Sequence, residues 1–164
     1  MDTTRTLDCK KMSNDSLLIG SSDFNELKCL IEHALSESAI VLIEGKLNTG
    51  KSYVLHRLFA PENILATKYQ GITTGNVAPR AIDRWKARIG NVAIDETGWL
   101  TDIQLDGVLN SAVSAKKGIV LGVQSIHRYR EKIATIQKKY ETPVLAITLL
   151  RFDRENQTPI WTHS

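Results

Sequence analysis

The sequence contains few cysteines and prolines and no long hydrophobic run. It has 2 cysteines and 4 prolines among 164 residues. Cys9 and Cys29 stand far apart and neither has a Cys-x-x-Cys partner, which argues against a disulfide framework and a zinc site and favours a reducing compartment. No apolar run approaches the roughly 18 residues that span a bilayer, and no export signal opens the chain. We therefore expect a cytoplasmic protein without membrane insertion.

A strong excess of charge of one sign is also missing. Lys and Arg number 21 against 18 Asp and Glu, so that the formal net charge is +3. Such an excess is compatible with nucleic-acid binding but does not require it. Residues 1–22 are rich in Thr, Ser, Asp and Lys, and we expect them to form a mobile tail. Residues 23–164 are long enough for one domain with its own core.

Two kinds of apolar pattern alternate along this domain. Continuous apolar runs predict buried strands, and apolar residues at a spacing of three and four predict helices. This alternation is typical of an α/β fold with a mainly parallel sheet and helices on both faces. The predicted strands cover 39–43, 63–67, 92–94, 119–123 and 144–150, with a turn and a short terminal strand within 151–161, and the predicted helices cover 24–35, 50–59, 81–88, 102–116 and 129–140.

The segment Gly45-Lys46-Leu47-Asn48-Thr49-Gly50-Lys51-Ser52 matches the phosphate-binding pattern G-x-x-x-x-G-K-[ST]. It stands between a predicted strand and a predicted helix, which is the context that the pattern requires. The glycines allow successive N–H groups to point inward, and the helix that follows directs its positive end at phosphates. Lys51 is suited to the β- and γ-phosphates, and the Ser52 hydroxyl to Mg²⁺. The predicted nucleotide-binding residues are Gly45, Lys46, Leu47, Asn48, Thr49, Gly50, Lys51, Ser52 and Tyr53, and the predicted cofactors are ATP and Mg²⁺.

Two carboxylates, Asp95 and Glu96, follow the apolar run Val92-Ala93-Ile94. In an enzyme with this phosphate loop, a carboxylate at a strand tip holds Mg²⁺, usually through water, and Asp95 suits this role. A second carboxylate beside it can orient and deprotonate an attacking water, so Glu96 is the predicted general base of ATP hydrolysis.

These motifs resemble the P-loop ATPases of the RecA-like and AAA-type branch. The resemblance is sharpest to conjugative coupling-protein and DNA-translocase ATPases, over Ile94-Asp95-Glu96, Leu100 and the segment from Ala115 to Ser125. It implies a five-stranded sheet of order 5-1-4-3-2 and a homo-oligomer that works on DNA or on a protein partner. It also implies a γ-phosphate sensor at Gln124, with Ser125 as the alternative. In such rings a neighbouring subunit supplies an arginine, for which Arg151 and Arg154 are the first candidates, just past the last predicted strand, and Arg128 and Arg130 the others.

Two other functions remain open on the sequence. A small-molecule or nucleotide kinase would use the same loop, with Arg128 and Arg130 in a mobile lid. A binding module would keep the loop without turnover. The basic and aromatic stretch from His127 to Lys139 is either a solvated helix face or a nucleic-acid surface.

Overall fold

The apolar runs of the sequence form one sheet, and the helical patterns flank it. The computed structural model describes residues 20–66 and 79–164. Residues 1–19 of the predicted tail and Thr67 of the predicted strand 63–67 lie outside these ranges. Pro79 is the first residue of a helix. Proline suits that position because its fixed φ is helical and its missing N–H would have no partner there.

The sheet has six strands in the order β2-β3-β4-β1-β5-β6. The first five strands pair in parallel, and β6 runs antiparallel to β5. The implied order 5-1-4-3-2 is found among those five strands, but the sheet as a whole is six-stranded and mixed rather than five-stranded. The strands are Ile40–Glu44 (β1), Ile64–Ala66 (β2), Val92–Asp95 (β3), Ile119–Val123 (β4), Val144–Asp153 (β5) and Thr158–His163 (β6).

The sixth strand follows from a tight turn after β5. The Asp153 carboxylate accepts hydrogen bonds from the backbone N–H of Glu155 and Asn156, at 3.0 and 3.3 Å. An aspartate that bonds backbone N–H groups two and three residues ahead stabilises a turn. Such a short connection can join only antiparallel strands, so β6 folds back on β5.

Five α-helices cover the two faces of the sheet in the described part of the chain. Asp23 caps the first helix by accepting from Asn25 N and Glu26 N, and Thr101 and Gln104 form a capping box on the fourth. Within residues 20–66 and 79–164 no helix is long and apolar enough to cross a membrane. The helices are Phe24–Ser36 (α1), Lys51–Leu58 (α2), Pro79–Lys86 (α3), Asp102–Ser114 (α4) and Arg130–Tyr140 (α5).

The sheet divides the core into two layers. Successive residues of β1 point to opposite faces, so Ile40 and Leu42 join α3, α4 and α5 on one face. Val41 and Ile43 join α1 and α2 on the other face. Both layers are buried, which explains why the central strands are continuous apolar runs.

Two of the three tryptophans lie in this core. The Trp85 indole N–H donates to Asn63 O and Ala93 O, at 3.1 and 3.0 Å. Trp161 lies on β6 and is buried, and its backbone pairs with that of Ser21, at the end of the predicted tail. Trp99 is instead partly exposed.

Helix α4 gives a matched test of which face is buried. Leu109 is 0% exposed and Ile103 is 86% exposed on the same helix. We predict that Leu109→Ala lowers the free energy of unfolding by about 2 to 5 kcal/mol, because it leaves a cavity. Ile103→Ala should change it by less than about 0.5 kcal/mol. Urea unfolding measures both, and equal losses would contradict the described packing.

Candidate functional site

The predicted site residues lie along one edge of the sheet. Because β1, β3 and β4 are parallel, their carboxyl ends meet at this edge, and the segments that follow them are neighbours. The backbone N–H of Gly45, directly after β1, donates to Val123 O at the end of β4, at 3.1 Å. The phosphate-loop candidate therefore begins beside Gln124.

The loop of residues 45–50 is tightly closed on itself. The Thr49 hydroxyl donates to Lys46 O at 2.8 Å. A Cβ added to Gly45 would lie 2.2 Å from Thr49 Oγ1, so this position accepts no side chain unless the loop moves. Gly50 has a φ of +100°, and a Cβ there would lie 2.8 Å from the Phe152 ring. Both glycines of the motif are required by this backbone.

Lys51 is buried inside the loop. The residue as a whole is only 5% exposed. Its Nζ donates to Gly45 O at 2.5 Å and to Lys46 O at 3.0 Å. An ammonium group has three protons to donate, and these two carbonyls hold it at the first residue of α2, where the helix macrodipole is positive. A buried cation at this place favours an anion as its neighbour.

Ser52 and Asp95 meet in front of the loop. Ser52 is exposed at the start of α2, Asp95 is 7% exposed at the end of β3, and Ser52 Oγ donates to Asp95 Oδ2 at 2.8 Å. A hydroxyl and a carboxylate are the oxygen ligands that Mg²⁺ prefers when it keeps several waters and binds a substrate phosphate. These two residues therefore fit a magnesium ion. Among the described residues no group of three or more His, Cys, Asp or Glu is placed to hold a metal on protein ligands alone.

Glu96 has an unusual backbone conformation. Its φ and ψ are 56° and 62°, in the left-handed region, and its C=O accepts from Trp99 N at 3.1 Å to start a 3₁₀ turn. A residue other than glycine in this region costs about 1 to 3 kcal/mol, and such strain is concentrated at functional sites. The conformation ends β3 at Asp95, so that Glu96 does not continue the alternation of the strand.

Gly122 gives the Asp95 and Glu96 backbone room beside β4. A Cβ on Gly122 would lie 3.3 Å from Ile94 O, and 3.7 Å from both Asp95 Oδ1 and Glu96 N. β4, which separates β1 from β3, therefore has no side chain where it passes Asp95 and Glu96. The sequence patterns did not single out this glycine, although a glycine inside an apolar run is a signal of close backbone approach.

Glu44 is a second residue that the sequence patterns did not single out. It ends β1, and its Oε1 accepts from the backbone N–H of Ile126 at 2.8 Å. The Thr148 hydroxyl donates to its Oε2 at 3.4 Å. Because Ile126 follows Gln124 and Ser125, both exposed, Glu44 fixes this polar segment next to the loop. The sequence signal for Glu44 was its position, because it is a charged residue between the buried run of β1 and Gly45, the first glycine of the motif.

Arg128 and Tyr129 lie against the segment after Glu96. A Cβ on Gly98 would lie 3.7 Å from the Tyr129 hydroxyl and 3.8 Å from Arg128 Nη1. Burial raises the pKa of Tyr129, the Arg128 charge lowers it, and the charges of Asp102 and Glu96 raise it further. Arg128 is therefore a neighbour of the Glu96 region within the same chain.

Comparison with known proteins does not assign the chain to a family. No protein-family model matches it, and no curated protein is significantly similar to it in sequence. The interpretation of the site therefore depends on the contacts of the loop and of the strand ends beside it.

The expected place of Arg151, just past the strand predicted at 144–150, is wrong, whereas Arg154 does lie directly after β5. β5 continues to Asp153, so that Arg151 lies inside it and pairs with Ile160 of β6. Arg154 lies in the turn between the two strands. The reason is the turn at Asp153, because it lets β5 extend beyond the apolar run and pair with β6. Both arginines are exposed on this hairpin, which contacts the loop through Phe152 on Gly50.

The loop geometry predicts a large effect of one methyl group. Gly45→Ala should lower the free energy of unfolding by about 1 to 3 kcal/mol, because the new Cβ overlaps Thr49 Oγ1. Adding Thr49→Ala removes that oxygen and should recover part of the loss. Gly107→Ala in α4, where a Cβ would lie 3.6 Å from Lys86 Nζ, is the control and should be neutral or stabilising by up to about 1 kcal/mol. Urea unfolding of Gly45→Ala, Thr49→Ala, the double variant and Gly107→Ala measures the coupling, and a Gly45→Ala protein as stable as the wild type would contradict the described loop.

Proposed function

We propose that this chain is a Mg²⁺-dependent protein that binds and hydrolyses ATP, built as a RecA-like P-loop ATPase. The observation that carries the proposal is the 2.8 Å contact between Ser52 Oγ and Asp95 Oδ2 in front of a loop closed around Lys51. A phosphate loop and a strand-tip carboxylate that converge in this way supply a cation, N–H donors and metal-ligand oxygens at one point.

The loop binds the triphosphate. Backbone N–H groups of residues 45–50 and the start of α2 favour the phosphate oxygens. The Lys51 ammonium, now on Gly45 O and Lys46 O, turns toward the β- and γ-phosphates. Ser52 and Asp95 hold the magnesium ion, which neutralises charge on the phosphates when it is bound. Tyr53, next on α2, lies beside the loop.

Glu96 and Gln124 act at the γ-phosphate end. The Glu96 carboxylate orients the attacking water and takes its proton, which contributes about 10²- to 10⁴-fold in rate for a positioned base. The Gln124 amide, on the segment that Glu44 fixes beside the loop, donates to the γ-phosphate oxygens and responds to their loss. Ser125 is the alternative sensor.

The position of β4 supports the RecA-like branch over other P-loop proteins. β4 lies between β1, which leads into the loop, and β3, which carries Asp95. This arrangement leaves the end of β4 between the loop and the carboxylates, where a sensor has access to both. A kinase would need an acceptor site as well, and the described residues offer no observation that favours one.

Hydrolysis is coupled to work on DNA or on a protein partner in a homo-oligomer. This part of the proposal comes from the resemblance to DNA-translocase ATPases. Arg151 and Arg154, exposed on the β5–β6 hairpin, are the arginines offered to a neighbouring copy. A guanidinium in that role stabilises the charge of the transition state.

ATP hydrolysis with and without Mg²⁺ tests the proposal. We expect turnover by the wild type in Mg²⁺, and loss of binding and turnover in Lys51→Ala because the loop loses its cation. Glu96→Gln should still bind ATP but hydrolyse it at least about 10²-fold more slowly. The assay measures released phosphate, at fixed salt, in the presence and absence of single- and double-stranded DNA.

Lys28→Ala is the matched control for Lys51→Ala, since Lys28 is an exposed lysine on α1 whose contact is with Glu32. It should hydrolyse ATP at the wild-type rate. A Glu96→Gln protein as active as the wild type would overturn the role of Glu96. ATP binding without phosphate release under any of these conditions would replace the ATPase by a binding module, and phosphate transfer to a nucleoside or metabolite would replace it by a kinase.

A further inference from the structure

A second concave site lies at the opposite side of β3 and β4 from the loop. It is a groove of about 520 Å³ between the edge strand β2 and helix α3. Ile64, Leu65 and Trp85 form its apolar base, and all three are buried. The proposed ATPase site makes no use of this groove.

Three arginines line the groove from α3 and its end. They are Arg80, Arg84 and Arg88. Arg80 and Arg84 are four residues apart on α3, so they lie on one face of the helix, about 6 Å apart along its axis, and Arg88 lies two residues beyond the end of α3. All three side chains are exposed, and Arg84 Nε donates to Arg80 O at 3.3 Å.

The positive charge of the three arginines faces few acidic groups among the described residues of the groove. Glu62 is the one acidic residue among the described residues that line it. In the part of the chain that the structure describes, the ion pairs involve Lys28, His33 and Lys132, and none involves these arginines. Like charges four residues apart destabilise a helix by about 0.2 to 0.5 kcal/mol per pair. An anion in the groove would turn this repulsion into attraction.

We propose that the groove of Arg80, Arg84 and Arg88 binds the phosphate backbone of a nucleic acid without reading its sequence. Guanidinium groups bind phosphate oxygens in pairs through their planar fork. Arg80 and Arg84, about 6 Å apart along the axis of α3, together with Arg88 beyond its end, exceed the extent of one phosphate group and suit successive phosphates of a strand. Trp85 is 3% exposed and both bonds of its N–H are internal, so the described residues that line the groove offer no open aromatic face for base stacking. The proposal does not depend on ATP hydrolysis.

Binding of fluorescein-labelled (dT)20 and of a 20-base-pair duplex, measured by anisotropy without nucleotide, tests this site. We expect the full chain to bind at 50 mM salt, and R80Q/R84Q/R88Q to bind about tenfold or more weakly. The slope of log K against log salt should fall in magnitude by about 2 on the single strand, at about 0.7 for each phosphate that the variant no longer neutralises. Unlabelled inorganic polyphosphate serves as a competitor that has the same oxyanions but no sugar.

The control K28Q/R57Q/K116Q removes three charges from exposed side chains on α1, on α2 and after α4, and should keep the wild-type affinity within about twofold. R80K/R84K/R88K keeps the positive charge but loses the planar guanidinium groups, so it should weaken binding with little change in the slope of log K against log salt. If the glutamine variant does not fold, this lysine variant tests the proposal in its place. Equal weakening by groove and control variants, no binding by the wild type at 50 mM salt, or binding of polyphosphate but of neither oligonucleotide would each overturn the proposal.

Discussion

The hydrogen bond between Ser52 and Asp95 is the contact on which the candidate site depends. It joins the first turn of α2 to the end of β3, although β4 lies between β1 and β3. A hydrogen bond to a charged group contributes about 1.5 to 3 kcal/mol. The bond between Ser52 and Asp95 therefore helps to keep α2 in contact with the end of β3. Without it the loop and the acidic pair would be separate features of neighbouring strands.

The contact is possible because of small features around it. Gly122 leaves the end of β4 bare, so that the Ile94–Glu96 backbone approaches it closely. Glu96 adopts a left-handed conformation that ends the strand, and Glu44 fastens the segment after β4. The sheet supplies the rigid frame, since its central strands are buried on both faces, and the polar groups are placed on the segments that leave it. Function on loops carried by a rigid sheet is the general arrangement of α/β proteins.

Much of the fold could be predicted from local patterns. Runs such as Ile119–Val123 predicted their strands because burial on two faces leaves a continuous apolar run in the sequence. The loop motif and the pair Asp95-Glu96 were also visible in the sequence. The motif has a fixed spacing of glycines, lysine and serine, and the acidic pair directly follows a predicted strand. A turn and a short terminal strand were also predicted within 151–161, but their bounds were harder to predict: the turn at Asp153 extends β5 past Arg151, and β6 continues to His163.

Other parts of the site could not be read from the sequence. Gly122 and Glu44 each left a local signal, a glycine inside an apolar run and a charge at a strand end, but neither signal indicates which distant segments of the chain these residues contact. The arginines of α3 show the same limit, because their four-residue spacing is visible in the sequence while the groove that they line depends on the packing of α3 against β2.

Isothermal titration of ATP into the wild type and into Asp95→Asn, each with and without Mg²⁺, tests the central claim most directly. If Ser52 and Asp95 form the metal end of a nucleotide site, Mg²⁺ should strengthen ATP binding by the wild type at least about tenfold, the equivalent of about 1.4 kcal/mol, and much less in Asp95→Asn. The same Mg²⁺ dependence in both proteins, or no binding of ATP by the wild type, would contradict the account.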